Sequence, residues 1–158
     1  NQKKGLNYRA WPFEHWRLLM QTLSAKTPVI IVGARGEEAF FDHLKPYPPN
    51  VIDLVGQLSI PELITTVQNA KALLCTDSAT GHIGAAVGTP TFVLMGPNNP
   101  ITDSPYQNDT NAVYPISLGL PCSPCYKTEV MKQCRDNVCM SRITPETVVE
   151  SLKSANIL

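Results

Sequence analysis

The sequence has no excess of charge of either sign. Its 158 residues carry 13 basic and 13 acidic side chains, so the formal net charge is zero. A protein that binds nucleic acid through electrostatics needs a clear basic excess, and a base-stacking surface needs aromatic side chains among basic ones. Aromatic residues make up only 7% of the chain. The composition therefore argues against a nucleic-acid partner.

Long apolar runs are also missing. No run approaches the roughly 20 residues that a helix needs to cross a bilayer. The basic residues 1–5 are not followed by an apolar stretch, so they do not have the pattern of a signal peptide. We therefore expect a cytoplasmic chain without a transmembrane segment.

Several signatures of nucleotide-binding and hydrolytic enzymes are absent. The chain contains neither a Walker loop nor Gly-x-Gly-x-x-Gly, so a P-loop NTPase and a dinucleotide oxidoreductase have no positive support. It lacks the Gly-x-Ser-x-Gly turn of α/β-hydrolases. An Asp-x-Asp pair is also absent, so we expect that no cofactor is required to hold a diphosphate.

Five cysteines are present, and four of them cluster. Cys75 lies in an apolar run and is expected to be a buried small hydrophobe. Cys122, Cys125, Cys134 and Cys139 follow the loop-rich part of the chain. In a cytosolic protein such a cluster indicates metal binding or redox activity. Its spacing is close to that of a zinc site but irregular in the second pair, so a structural zinc ion, packed thiols and a disulfide all stay open.

Apolar periodicity predicts alternating helices and strands. Helices are expected at 11–26, 37–44, 59–70, 78–87 and about 145–156, and strands at 28–32, 51–55, 72–76, 91–95 and 113–118. This order predicts an α/β fold, a Rossmann-like open parallel sheet with helices on both faces. We expect one domain over 1–158, with a cysteine-containing segment at 120–141. Since a doubly wound domain normally begins with a strand, the chain is expected to be part of a longer protein.

Two helix starts have recognisable caps. Ser59 stands three residues before Glu62, which predicts a capping box in which the serine accepts a backbone N–H and the glutamate reaches back. Pro12 is expected in the first turn of the first helix. Thr144 before Pro145 predicts a capped start for the last helix.

The segment Asp77–His82 is the strongest candidate site. It follows a predicted strand and opens a helix, and in open α/β sheets ligands bind at the carboxyl ends of the strands. Free N–H groups and the positive end of the helix dipole favour an anion there. Ser78 and Thr80 add hydroxyl groups, and His82 adds a switchable donor. A diphosphate fits this set. The alternative is an ordinary Asp or Ser cap beside a structurally satisfied histidine.

The same segment carries a family resemblance. Residues 71–90 resemble the signature of glycosyltransferase family 9, the heptosyltransferases: Asp, Ser or Thr, Gly, two free positions and His, then an Ala-rich helix and Gly-Thr-Pro. Residues 9–12, Arg-Ala-Trp-Pro, and Trp16 resemble the family's Lys-x-Trp-Pro and the Trp after it. Residues 122–125 and 143–146 are also similar to common members. The resemblance covers nearly the whole chain.

The resemblance implies a GT-B architecture of two Rossmann-like domains, of which this chain is similar to the C-terminal, donor-binding one. The N-terminal acceptor domain, which in the family carries the residue that activates the acceptor, is expected to be absent. The implied reaction moves a heptose or related sugar from a nucleoside-diphosphate sugar, ADP-linked by analogy, to lipopolysaccharide core or a similar glycolipid. The implied location is cytoplasmic or peripheral at the inner face of the bacterial inner membrane. The isolated chain is expected to be inactive.

The resemblance also implies roles for individual residues. Ser78, Ala79 and His82 would meet the diphosphate or the donor sugar, with Thr80 in the same loop, and Asp77 would orient the loop or bind the sugar. Arg9 stands where the family has a phosphate-binding lysine. Glu37 would accept from the ribose hydroxyls, and Leu58 and Ser59 would flank the adenine. Ala79 replaces the family's glycine, a handicap if the position needs positive φ or a close backbone approach.

Two other functions compete with the transferase. One is a non-catalytic module that binds a nucleotide or a sugar. The other is a zinc-stabilised interaction domain built on Cys122, Cys125, Cys134 and Cys139. Binding of a nucleotide-sugar donor would distinguish the zinc-stabilised domain from the transferase and the non-catalytic module. Turnover by the longer protein would then distinguish the transferase from the non-catalytic module.

Overall fold

A computed structural model describes residues 7–158. These residues form two compact units. One unit is Pro12–Thr66, and the other combines the described residues up to Trp11 with Val67–Leu158. Each unit contains parallel strands and helices, so the expected α/β class applies to both.

The unit Pro12–Thr66 contains a two-stranded parallel sheet. Its elements are α1 (Phe13–Ser24), β1 (Val29–Ile31), α2 (Glu38–Phe41), a 3₁₀ turn (Asp42–Leu44), β2 (Val51–Asp53) and the greater part of α3 (Ile60–Gln68). Val29 of β1 pairs with Val51 of β2. A core of Met20, Ile31, Leu44 and Val55 lies within this unit. Helix α1 therefore supplies Met20 to this core, and its Phe13 and Trp16 pack against it.

The second unit contains a three-stranded parallel sheet in the order β3–β4–β5. Its elements are β3 (Leu73–Thr76), α4 (Ala79–Ala86), β4 (Thr91–Leu94), β5 (Val113–Ile116), α5 (Glu129–Gln133), α6 (Val138–Ser141) and α7 (Pro145–Ser154). Every residue of the central strand β4 is buried. A strand that is covered on both faces has a continuous apolar sequence, and this pattern is what predicted β4.

The alternation of helices with parallel strands confirms the predicted α/β fold class. Hydrogen bonds within residues 7–158 group the strands into a pair and a triplet. The short helices α5 and α6 lie in the cysteine-containing segment, where no helix was predicted. None of the described helices combines the length and apolar character that a membrane crossing requires.

The helix starts differ in detail from the expectations. Pro12 precedes α1 as its N-cap, with extended ψ of 137°, instead of lying in the first turn. The Ser59 N–H donates to the Glu62 carboxylate at 2.8 Å, as the capping box requires. The Ser59 hydroxyl also donates to the same carboxylate oxygen at 2.6 Å, a charge-assisted bond between the two side chains. Both bonds lower the pKa of Glu62. Thr144 caps α7 through the Thr147 N–H as predicted.

Helix α4 lies unusually close to the sheet because of its small residues. A Cβ on Gly84 would lie 2.4 Å from Oγ1 of Thr91 and 2.6 Å from Cδ2 of Leu73. A Cβ on Gly81 would lie 3.1 Å from Sγ of Cys75. The small residues of α4 therefore allow the helix to pack tightly on the sheet. This approach places the N-terminus of α4 at the end of β3.

Gly84→Ala tests the close packing. The added methyl group would collide with two buried side chains, so we expect a loss of about 1–3 kcal/mol in the free energy of unfolding. Ala86→Ser, on the exposed face of the same helix, is the control and should cost no more than about 0.5 kcal/mol. Urea denaturation followed by circular dichroism measures both. Equal midpoints for the two variants would contradict the packing argument.

Candidate functional site

The loop between β3 and α4 presents free donors. Ser78 is the N-cap of α4 with extended backbone, and its side chain makes no capping bond, so the alternative of a serine cap is not supported. The Gly81 N–H donates to the Ser78 carbonyl at 3.1 Å. The N–H groups of Ala79 and Thr80 have no hydrogen-bond acceptor within the helix, as is general for the first N–H groups of an α-helix. These donors are available to an anion.

Arg9 meets this loop across 68 positions of sequence. Its Nη1 donates to the Asp77 carbonyl at 3.3 Å and lies 3.7 Å from Oδ2 of the Asp77 carboxylate. The Asp77 side chain is 11% exposed, whereas that of Arg9 is 45% exposed. Oδ2 of Asp77 is buried and has no hydrogen-bond partner. Arg9 is thus attached to the loop by part of its guanidinium, and the exposed remainder can contact an anion.

The loop after β4 contributes a buried amide that sequence reasoning missed. Asn98 is 7% exposed, and its Oδ1 has no hydrogen-bond partner. Because β3 and β4 are parallel neighbours, the loops that follow them lie at the same edge of the sheet. A buried acceptor without a partner is costly unless a ligand satisfies it. The sequence offered one signal for this buried amide, because Asn98 is a polar residue that directly follows the apolar run 91–97.

His82 lies on the exposed face of α4. It lines a cleft of about 660 Å³, a size typical of small-molecule sites, together with Ser104, Pro105 and Tyr106. Its exposure means that it is not a core residue. Its imidazole is therefore free to contact a ligand, as the proposed donor role requires.

Ala79 is the first residue of α4 and is exposed. The described non-glycine residues with positive φ are Asn50, Lys127, Asn137 and Asn156, so Ala79 is not among them. The position therefore does not need the conformational freedom of glycine, and one of the two reasons for treating alanine as a handicap does not apply.

Glu37, Leu58 and Ser59 belong to the other unit. Glu37 precedes α2, and its Oε2 accepts the Ala34 N–H at 2.7 Å. The Gly56 N–H donates to the Gly33 carbonyl at 3.0 Å, which joins the loops after β1 and β2. The Ala34 contact orients the Glu37 carboxylate, which retains further lone pairs for hydroxyl donors.

The predicted adenine-flanking residues follow β2. Leu58 is half-buried and Ser59 is exposed. Because the Ser59 hydroxyl already donates its proton to Glu62, it would meet a base by packing or as an acceptor. The ribose and adenine roles of these three residues stay predictions.

The four clustered cysteines are free thiols. Cys122 is exposed to solvent, Cys134 is partly exposed, and Cys125 and Cys139 are buried. Burial raises the pKa of the Cys125 and Cys139 thiols, and the other thiols nearby raise it further. Within residues 7–158 no three side chains of His, Cys, Asp or Glu are arranged to hold a metal ion. The geometry therefore lends no support to the zinc interpretation, which stays a prediction.

The cysteine-containing segment does support the site. The N–H groups of Cys125 and Tyr126 both donate to the Pro97 carbonyl, at 2.8 and 2.9 Å. Nδ2 of Asn137 donates to the carbonyl of Ala10, the residue after Arg9, at 3.3 Å. Just beyond the segment, the Ile143 carbonyl accepts Nε1–H of the buried Trp11 at 2.8 Å. The segment thus ties the loop after β4 to the residues that carry Arg9.

Comparison with known proteins agrees with the family resemblance of the sequence. A model of the family described as glycosyltransferase family 9 (heptosyltransferase) matches residues 4–135. The lipopolysaccharide heptosyltransferase 1 of Pseudomonas aeruginosa is 24% identical over 91% of this chain and 43% of its own length.

Two solved structures are similar in fold. A glycosyl transferase family 9 protein of Veillonella parvula has a TM-score of 0.76 and 19% identity, covering 98% of this chain and 44% of its own. The Escherichia coli heptosyltransferase WaaC with ADP has a TM-score of 0.69 and 18% identity, covering 97% and 42%. These neighbours confirm the Rossmann-like α/β fold. The chain spans less than half the length of each of these relatives.

Cys75, next to the loop, should be chemically inert. Burial raises the pKa of its thiol from 9.0 to about 12. We expect iodoacetamide at pH 9 to alkylate the exposed Cys122 in the folded protein and to leave Cys75 unmodified. Peptide mass spectrometry measures the extent at each cysteine. Alkylation of Cys75 as fast as that of Cys122 would contradict the burial.

The same shift predicts a pH effect on stability. The thiol stays protonated in the folded state, whereas it ionises near pH 9 when unfolded, so its contribution to stability falls as pH rises from about 9 towards 12. Cys75→Ala should show a smaller loss of unfolding free energy between pH 8.5 and 10.5 than the unchanged protein. Parallel losses in both would contradict the assignment.

Proposed function

Because the chain belongs to glycosyltransferase family 9, we propose that it binds a nucleoside-diphosphate sugar and stabilises the diphosphate as it leaves. The observation that carries this proposal is the position of Arg9 beside Asp77, at the N-terminus of α4. A cation with free guanidinium N–H groups and unpaired backbone N–H groups at a helix end are complementary to a diphosphate.

The reaction is a displacement at the anomeric carbon of the donor sugar. As the glycosidic bond to the diphosphate breaks, negative charge grows on the β-phosphate. Donors already in position stabilise that charge more in the transition state than in the ground state. Arg9, the Ala79 and Thr80 N–H groups and His82 are the donors we assign to this task. Asp77 holds Arg9 and thereby orients it.

We further propose that the donor is ADP-linked and that its sugar is a heptose or a close relative. The names of the Pseudomonas aeruginosa and Escherichia coli relatives, the second solved with ADP, support this choice. The carboxylate of Glu37 would accept from the ribose hydroxyls, and Leu58 and Ser59 would flank the base. The buried Oδ1 of Asn98 is a further acceptor for a hydroxyl of the donor.

The acceptor in this proposal is lipopolysaccharide core or a similar glycolipid, reached at the cytoplasmic face of the membrane. We assign no residue of this chain to the activation of the acceptor hydroxyl. The matched relatives are more than twice as long as this chain. We therefore propose that this chain alone binds the donor without transferring the sugar, while the longer protein transfers it. A longer protein that binds the donor but never turns over would favour the non-catalytic module.

Arg9→Ala tests the diphosphate site. Removal of a charge-assisted contact should weaken ADP binding about tenfold and leave adenosine binding unchanged, because adenosine has no phosphate. Calorimetric titration with ADP, UDP, GDP and adenosine measures both, and ADP should bind most tightly of the three diphosphates. Arg142→Ala, on an exposed arginine of the same unit, is the control and should match the unchanged chain. If no nucleotide binds at millimolar concentration while the fold is intact, the proposed function fails.

His82→Ala separates a ligand role from a packing role. Since His82 is exposed, the thermal midpoint should change by less than about 2 °C, as for surface substitutions in general. ADP binding should weaken severalfold. A large fall in the midpoint with unchanged binding would assign His82 to packing instead.

A further inference from the structure

The ring of Tyr126 lies near two cations. Cζ of Arg9 lies 5.8 Å from the ring centroid, and Nζ of Lys127 lies 5.2 Å from it. The two charges are therefore no more than about 11 Å apart, the total of the two distances. Both distances are within the range of cation–π attraction, so the ring helps to keep two positive groups together despite their mutual repulsion.

The turn that carries Lys127 is held by backbone hydrogen bonds. The N–H groups of Cys125 and Tyr126 share the Pro97 carbonyl as acceptor. The Thr128 N–H and hydroxyl both donate to the Cys125 carbonyl, at 3.0 and 2.6 Å. Because Pro97 lies in the loop after β4, these bonds fix the turn at the edge of the sheet where the α4 loop also lies.

Arg9 and its neighbours leave the site without a net positive charge, which Lys127 can supply. Arg9 faces the Asp77 carboxylate at 3.7 Å, so the two together contribute no net charge. A diphosphate carries at least two negative charges, which one neutralised arginine does not balance. No ion pair within residues 7–158 involves Lys127. The neighbouring Lys132, by contrast, is paired with Glu129.

The backbone at Lys127 is also unusual. Its φ is 60°, in the left-handed region that side chains other than those of Gly, Asn and Asp rarely adopt. A glycine or asparagine would occupy this position with less strain. A lysine here is consistent with a need for its charge.

We propose that Lys127, presented on the ring of Tyr126, is the second cation of the diphosphate site. The inference rests on the proposed function and deepens it, since it names the group that makes the site net positive. The ammonium group acts as a mobile point charge with three donors, whereas Arg9 is held in place by Asp77. Tyr126 is a positioning residue that keeps both cations beside the loop.

Lys127→Asn and Lys127→Gly remove the charge and suit the left-handed backbone, so both variants should fold. We expect each to weaken ADP binding about three- to tenfold, as for one partly exposed charge-assisted contact, with a smaller salt dependence. Adenosine binding should not change. Lys127→Arg should restore ADP affinity to within about twofold of that of the unchanged chain. Lys132→Gln removes one positive charge from the same segment, outside the proposed site, and is the matched control with unchanged ADP affinity.

Calorimetry at two salt concentrations distinguishes the outcomes. If the unchanged chain binds ADP and Arg9→Ala weakens it, but both Lys127 variants bind like the unchanged chain, the inference is overturned and the proposed function stands. An equal loss for adenosine and ADP would also overturn it, since that pattern indicates a structural role. If the folded, unchanged chain binds no ADP, the proposed function fails and this inference fails with it.

Discussion

The close approach of α4 to strands β3 and β4 is the constraint on which the candidate site depends. Gly84 faces Oγ1 of Thr91 and Cδ2 of Leu73 at distances that leave no room for a side chain. Protein interiors are packed too densely to absorb such a displacement without cost. A larger residue would therefore push the helix outwards and move its N-terminus away from the end of β3. The free N–H groups of Ala79 and Thr80 would move with it.

A second set of contacts connects the other parts of the site to that helix end. Arg9 reaches Asp77, Trp11 is bound to Ile143, and the Cys125–Tyr126 backbone is bound to Pro97. The cysteine-containing segment thus supports the loop after β4 through its backbone N–H groups. Near these well-satisfied contacts, Oδ2 of Asp77 and Oδ1 of Asn98 are buried without hydrogen-bond partners. Unpaired acceptors at the binding edge of a parallel sheet are consistent with a site that a ligand completes.

The proposed chemistry requires little from the chain besides electrostatics and position. A nucleoside diphosphate is a leaving group whose charge must be stabilised, and a helix end with two cations provides this stabilisation. The carboxylate of Asp77 makes the arrangement more than a simple basic patch, because it orients Arg9 while balancing its charge. Net attraction for the diphosphate then depends on a further positive group. The membership of the chain in glycosyltransferase family 9 agrees with this arrangement.

By itself, the sequence determined the α/β class and the order of the strands and of the helices outside the cysteine-containing segment, and it predicted a site at Asp77–His82. These properties follow from periodicity and from short motifs, in which neighbours in sequence are neighbours in space. Local rules failed at Pro12, which precedes the first turn of α1 as its N-cap with an extended ψ. The tertiary structure alone decided that Arg9 meets Asp77, that Oδ1 of Asn98 is buried without a hydrogen-bond partner, and that the ring of Tyr126 lies near both Arg9 and Lys127. The reason is physical: these contacts join segments far apart in the chain, and no local pattern records which distant surfaces the packing of β3, β4 and α4 brings together.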